Sequence, residues 1–171
     1  MNQEIYTRNL SYLQSLIGLK IESAFQEQYF SEGKLDKESL GTLKLEFSNG
    51  KELTFDCNQD AKSLHIQLGG FINKSNFETD FEDNRYRWKI KEYLSSKKLL
   101  ELGEIRKCFI ELLSTEYDNG LIQSGCKLEF KNGHYLHIWI IESDNIFYGL
   151  NEKPLYYENL KVELKEIGIS F

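Results

Sequence analysis

The sequence predicts an α+β domain, mainly antiparallel β-sheet, built from two duplicated helix–strand–hairpin units. Three observations carry that prediction. Residues 43–53 read LKLEFSNGKEL and residues 126–136 read CKLEFKNGHYL, so Lys, Leu, Glu, Phe, Asn, Gly and a closing Leu recur 83 positions further along. Both segments alternate apolar with polar side chains, which is the period of a strand with one buried face. Each is interrupted by Asn-Gly, a strong hairpin signal.

Taken in chain order, residues 3–16 place Ile5, Leu10, Leu13, Leu16 and, just beyond, Ile17 near helical spacing and predict an amphipathic helix. Residues 20–30 and 104–113 predict strands, and within them IESAF (21–25) loosely matches IRKCF (105–109). In the first hairpin parity decides the loop. A two-residue turn would set Phe47 opposite Glu52, whereas Ser48-Asn49-Gly50 as a three-residue turn pairs Leu45 with Leu53 and Leu43 with Phe55. Lys131-Asn132-Gly133 repeats the solution and pairs Cys126 with Ile138 and Leu128 with Leu136. Residues 64–68, 146–150 and 160–167 predict further strands. RYRWKIK (85–91) alternates as a strand that runs into a helix over 92–101, by analogy with the first copy, where Tyr12-Leu13 faces Tyr93-Leu94. The chain is thus one domain, 1–171, with copies over about 10–70 and 92–152 and a linker over 71–84. Two copies are too few for a solenoid.

Composition narrows the class. Of 171 residues 40% are hydrophobic and 28% charged, the balance of a globular chain. Lys and Arg number 21 against 27 Asp and Glu, a net charge of −6, which argues against a broad nucleic-acid or anionic-membrane surface and permits a basic partner. No apolar run approaches the ~18 residues of a membrane helix. The first residues lack the layout of a secretory signal, which points to the cytoplasm. Three cysteines, Cys57, Cys108 and Cys126, form neither an even set nor a CxxC and are expected to be free, buried and small.

The sequence carries few signatures of catalytic chemistry. His134 and His137 stand three apart in a strand, which sends their rings to opposite sides, and His65 reads as an ordinary boundary residue. Ser124-Gly125-Cys126 reads as the start of a strand and not as a nucleophile turn, and Gly69-Gly70 lacks the residues of a phosphate loop. Glu46 and Glu129 alternate outward with lysines, as on a solvated face. No catalytic residue, metal or cofactor is expected.

Two surface features remain. On the outward parity of the second hairpin stand Tyr135, His137, Trp139 and Ile141, where the first copy has Thr54 and Asp56. A strand apolar on both faces is either covered by another element, here expected to be a helix, or offered to a partner. The linker carries Glu78, Asp80, Glu82 and Asp83, followed by Arg85, Arg87, Lys89 and Lys91. The plain reading is a solvated loop beside a basic strand face. The functional readings are an acidic loop that mimics phosphates, or bases stacked on Tyr86 and Trp88, which the net charge opposes.

A short helix or Leu/Gly entry (Leu16-Ile17-Gly18, Leu102-Gly103), a strand and then the hairpins from Leu45 to Leu53 and Leu128 to Leu136 make a pattern that resembles small acidic bacterial immunity proteins of polymorphic and contact-dependent toxin systems. That resemblance implies a non-enzymatic protein that binds and occludes a toxin domain, a cationic one being favoured by opposite charge. Such proteins share no universal motif, so the candidate partner-binding residues come from the surface reading alone: Glu78, Asp80, Glu82, Asp83, Tyr135, His137 and Trp139. The alternatives are a small-molecule or enzymatic site between the two copies, using His137, Tyr135 and nearby carboxylates, or a subunit of a larger assembly.

Overall fold

Leu43, Leu45 and Phe47 on one strand and Leu53 and Phe55 on the next are all fully buried, because alternation turns them to a single side of the sheet they build. The computed structural model describes residues 3–32, 34–58, 62–69, 87–92, 96–114, 121–141, 145–153 and 161–168. In chain order the elements are α1 (Gln3–Gln14), β1 (Ile21–Ser31), β2 (Lys34–Phe47), β3 (Glu52–Cys57), β4 (Leu64–Leu68), β5 (Arg87–Glu92), α2 (Ser96–Leu102), β6 (Ile105–Ser114), β7 (Leu121–Phe130), β8 (Tyr135–Ile141), β9 (Asn145–Leu150) and β10 (Lys161–Glu166).

The strands form two antiparallel sheets of five, ordered β4-β3-β2-β1-β5 and β10-β6-β7-β8-β9. In each, a four-strand meander is flanked by a fifth strand that returns to the far edge, beside the first. The predicted hairpin registers are present: Leu45 faces Leu53 and Leu43 faces Phe55, while Leu128 faces Leu136 and Cys126 faces Ile138. Both turns are closed in one way. Gly50 N–H donates to the Phe47 carbonyl (2.8 Å) and Gly133 N–H to that of Phe130 (3.0 Å). The side chains of Asn49 and Asn132 accept from Lys51 N–H and His134 N–H. Gly50 (φ 76°) and Gly133 (φ 86°) lie in the left-handed region, where a Cβ is disfavoured.

The inner faces enclose one core that also takes Leu13, Leu16, Leu99 and Leu102 from the helical segments. Strand β9 packs on β2 and β3, β4 on β7, α1 on β4 and β6, and α2 on β1. An antiparallel bridge, Lys20 with Glu104, joins the starts of the two sheets, with Gly18 N–H donating to the Ile105 carbonyl (2.9 Å) and Ile105 N–H to that of Leu19 (2.8 Å).

Two expectations need correction. The buried stripe of α1 is Tyr6, Asn9 and Leu13, while Ile5 is only half-buried. Asn9 is there because it holds the edge of β4: its amide donates to the Leu64 carbonyl (2.9 Å) and its carbonyl accepts from Ile66 N–H (3.2 Å). Ser124-Gly125-Cys126 lies inside β7 rather than at a strand start, and Ser124 is the extra residue of a bulge opposite Glu111 and Leu112. The match of Tyr12-Leu13 with Tyr93-Leu94 falls on residues 93–94, which lie outside the described residues. So do the linker 71–84 and residues 85–86, while the rest of RYRWKIK is strand β5.

Candidate functional site

The side chains that alternate away from the core make an outer face on each sheet, and the two faces share a central cluster. On the first, Lys44 lies over the Phe25 ring (5.3 Å to its centre) and reaches Glu46 (2.5 Å) and Glu52 (3.7 Å). Ser23 also donates to Glu46, so this carboxyl is held below its usual range by the Lys44 ammonium and then the Ser23 hydroxyl, against a smaller effect of burial. On the second, Lys127 lies over the Phe109 ring (5.2 Å), and Glu129 is 3.9 Å from it.

Next to that cluster each face buries one carboxylate. Glu27 accepts from Thr42 N–H (3.3 Å), and Thr42 Oγ1 donates to Asp56 (3.2 Å). Glu111, on β6 as Glu27 is on β1, is 0% exposed and lies over Gly125. A side chain at 125 would run into the Ile138 carbonyl, with Glu111 Oε1 at 3.0 Å. The bulge turns the Ser124 hydroxyl onto Glu111 Oε1 (2.7 Å), and His137 Nε2 meets Glu111 Oε2 (2.6 Å). A buried carboxylate needs such donors, since stripping its water without replacement costs several kcal/mol or more. The order is hydroxyl–carboxylate–imidazole: the Ser124 hydroxyl is spent on Glu111 and not on His137, so the trio is not the nucleophile–base relay of a hydrolase.

Above this trio is a groove of about 400 Å³ lined by Lys127, Tyr135, His137, Lys153, Val162 and Leu164. Lys127 Nζ sits 4.4 Å from the centre of the Tyr135 ring. Its far wall is β10, where Leu164 is 45% exposed. The near wall forms because Asn151, at φ 60°, folds the chain back: its N–H donates to the Tyr135 carbonyl (2.9 Å), and its side chain accepts from Tyr135 N–H (3.0 Å) and meets His134 Nδ1 (2.7 Å). Glu152 then rests on Gly149, with Lys153 on the groove.

The residues expected from the sequence divide here. Tyr135, His137 and Trp139 all belong to the outer face of β8, but His137 (3% exposed) and Trp139 (7%) lie beneath its surface and only Tyr135 is half open. Trp139 stacks on Phe147 (6.3 Å) and tilts against His137 (5.3 Å). The expected helical cover is not found among the described residues, where β8 lies between β7 and β9 and its start is met by the returning turn at Asn151. Glu78, Asp80, Glu82 and Asp83 lie outside the described residues, as do the side chains of Ile141 and of residues 87–92. His134 and His137 are well apart in environment, one in an exposed turn and one buried, and among the described residues no three His, Cys, Asp or Glu are placed to hold a metal. His65, across from Asp56, is held below its usual range by partial burial and the Arg8 charge, against Asp56.

No thiol lines the groove, and Cys57 is only partly buried. Cys108 and Cys126 face the core, where burial pushes Cys108 up to about 12 and Cys126 well above the ordinary thiol range. Sequence reasoning missed Glu111, Lys127, Lys153, Val162 and Leu164. Comparison with protein-family models, with curated proteins and with solved structures gives no match for this chain.

Proposed function

We propose that the chain is a non-enzymatic, cytoplasmic recognition protein that docks a protein partner on the outer face of its second sheet, as the resemblance to immunity proteins implies. One observation carries this reading. The two outer faces keep the Lys–Phe–Glu cluster and a buried carboxylate, yet Tyr135, His137 and Trp139 stand where the first sheet has Glu52, Thr54 and Asp56. That exchange leaves the half-open Tyr135 ring beside the exposed Leu164, seated on the buried His137 and Trp139, and an aromatic next to an aliphatic side chain is the composition of interface centres. The same matched registers, including an irregularity after Ile21 and after Ile105, support descent of the two halves from one duplicated unit.

What faces the groove favours holding over turnover. Lys127, Lys153 and the Tyr135 phenol are recognition groups, while the His137 imidazole and Ser124 hydroxyl are both engaged by Glu111. The partner class follows from charge: at −6 the whole chain attracts a cationic protein such as a nuclease toxin, which raises the rate of encounter.

The test is co-expression with the product of the adjacent gene, followed by growth and by affinity of the purified pair. The wild-type chain is expected to relieve growth arrest. Tyr135→Ala and Leu164→Glu are expected to weaken binding at least about tenfold, because central anchors at interfaces carry ~2 kcal/mol or more each. Gln67→Ala, on the outer face of the first sheet, leaves binding unchanged. Equal losses on the two faces, or none on the second, overturn the reading.

A further inference from the structure

We propose that the groove on the second sheet is a carboxylate site, filled by an acidic side chain of the partner with an aliphatic residue beside it. The proposal rests on the protein-recognition reading and names the partner chemistry that this surface takes.

The molecule supplies its own template. On the first sheet Lys44 has two carboxylates, Glu46 at 2.5 Å and Glu52 at 3.7 Å. Lys127 holds the matching place on the second, set over Phe109 as Lys44 is over Phe25. Both of its carboxylates are weakened or missing. Glu129 stands 3.9 Å away and is in close contact with Arg106, which competes for it. Tyr135 occupies the position across the hairpin that Glu52 has in the first sheet, so a phenol ring replaces the second carboxylate. The Lys127 ammonium, with 21% of its side chain exposed, lines the groove. A second ammonium, Lys153, is exposed at the same groove and makes no ion pair among the described residues.

Cation and apolar wall then define the occupant. An incoming carboxylate does for Lys127 what Glu52 does for Lys44, and bridges Lys127 and Lys153 by charge-assisted hydrogen bonds, with the Tyr135 hydroxyl as a further donor. An adjoining aliphatic side chain covers Val162 and Leu164, which removes from water the most exposed apolar surface of the groove. A volume of about 400 Å³ suits a pair of side chains and lies within the usual range of ligand sites.

The experiment titrates the full-length protein, with no partner present, against acetyl-Leu-Glu-Leu-amide and acetyl-Leu-Gln-Leu-amide, followed by NMR shifts. The Glu peptide is expected to give saturable shifts at Lys127, Tyr135, Lys153 and Leu164. The Gln peptide is expected to bind at least about tenfold more weakly, the loss of a hydrogen bond to a charged group. Lys153→Gln should cost a similar factor. Tyr135→Glu rebuilds the pairing of the first sheet inside the chain, so it should keep the fold by circular dichroism and lose the Glu peptide. Equal binding of the two peptides, undiminished binding by Tyr135→Glu, or no binding of the Glu peptide by wild type overturns the site. If that happens while Leu164→Glu still releases the partner, the recognition reading stands and the carboxylate site alone falls. Discrimination between the peptides in a chain that binds no partner protein leaves the site standing and removes the recognition reading.

Discussion

At the scale of single residues, the second sheet depends on one position without a side chain. Gly125 lies where Glu111 crosses β7, and a Cβ there would meet the Ile138 backbone, 3.0 Å from Glu111 Oε1 and 3.2 Å from Trp139 Cα. Backbone cannot rotate away as a flexible side chain can. Gly125→Ala is therefore expected to lower stability by about 1–3 kcal/mol, the range of overpacked cores, in a urea melt. An unchanged midpoint would show that β7 and β8 can separate without loss. Alternation alone would set position 125 on a wet face, and Glu111 looks like one more outward carboxylate in RKCFIELL. Only the sheet order, which puts β6, β7 and β8 side by side, turns Glu111, Ser124 and His137 into one buried set. Tyr135, His137 and Trp139 were visible because they break the parity within one short segment. Lys153, Val162 and Leu164 were not, since they reach the groove from a later turn and from the far edge of the sheet.

At the scale of elements, the hairpins were legible to the residue. Apolar parity and Asn-Gly each permit several registers, and together they permit one. The first half of β2 was not, because KLDKESLGT offers no sustained alternation; that half is aligned by pairing with β1 from Ser31 and Lys34 onward. The helix face was misread for a related reason. A hydrophobic stripe ignores Asn9, yet its amide serves as the missing neighbour of edge strand β4, bonding the carbonyl of Leu64 and the N–H of Ile66, and it also reaches Gln123 (3.0 Å). Asn9→Ala leaves those two backbone groups buried without their partner. The expected cost is about 1–3 kcal/mol, read as a fall in the denaturation midpoint, with the Ile66 amide exchanging faster. Full protection of Ile66 in the variant would mean that β4 is held from β3 alone.

At the scale of the whole molecule, contacts that cross between the halves hold the two sheets together. Helix α2 follows the first sheet in sequence and packs on its strand β1, while α1 touches β6 of the second sheet as well as β4 of its own. Gln26, buried on β1, is tied to β9 through the Ile146 carbonyl (3.2 Å) and the Tyr148 hydroxyl (2.5 Å). Each half thus leaves apolar surface and polar partners that only the other half covers. Neither sheet can then lose its packing without exposing the core of the other, and the chain should unfold as one unit. With Trp88 replaced by Phe, fluorescence of Trp139 reports the second sheet, and labelling of the partly exposed Cys57 thiol reports the first. The two midpoints in urea are expected to coincide with each other and with loss of far-ultraviolet circular dichroism. Release of the Cys57 thiol at a lower urea concentration than the Trp139 change would show that the crossed contacts of α1, α2 and Gln26 do not couple the sheets.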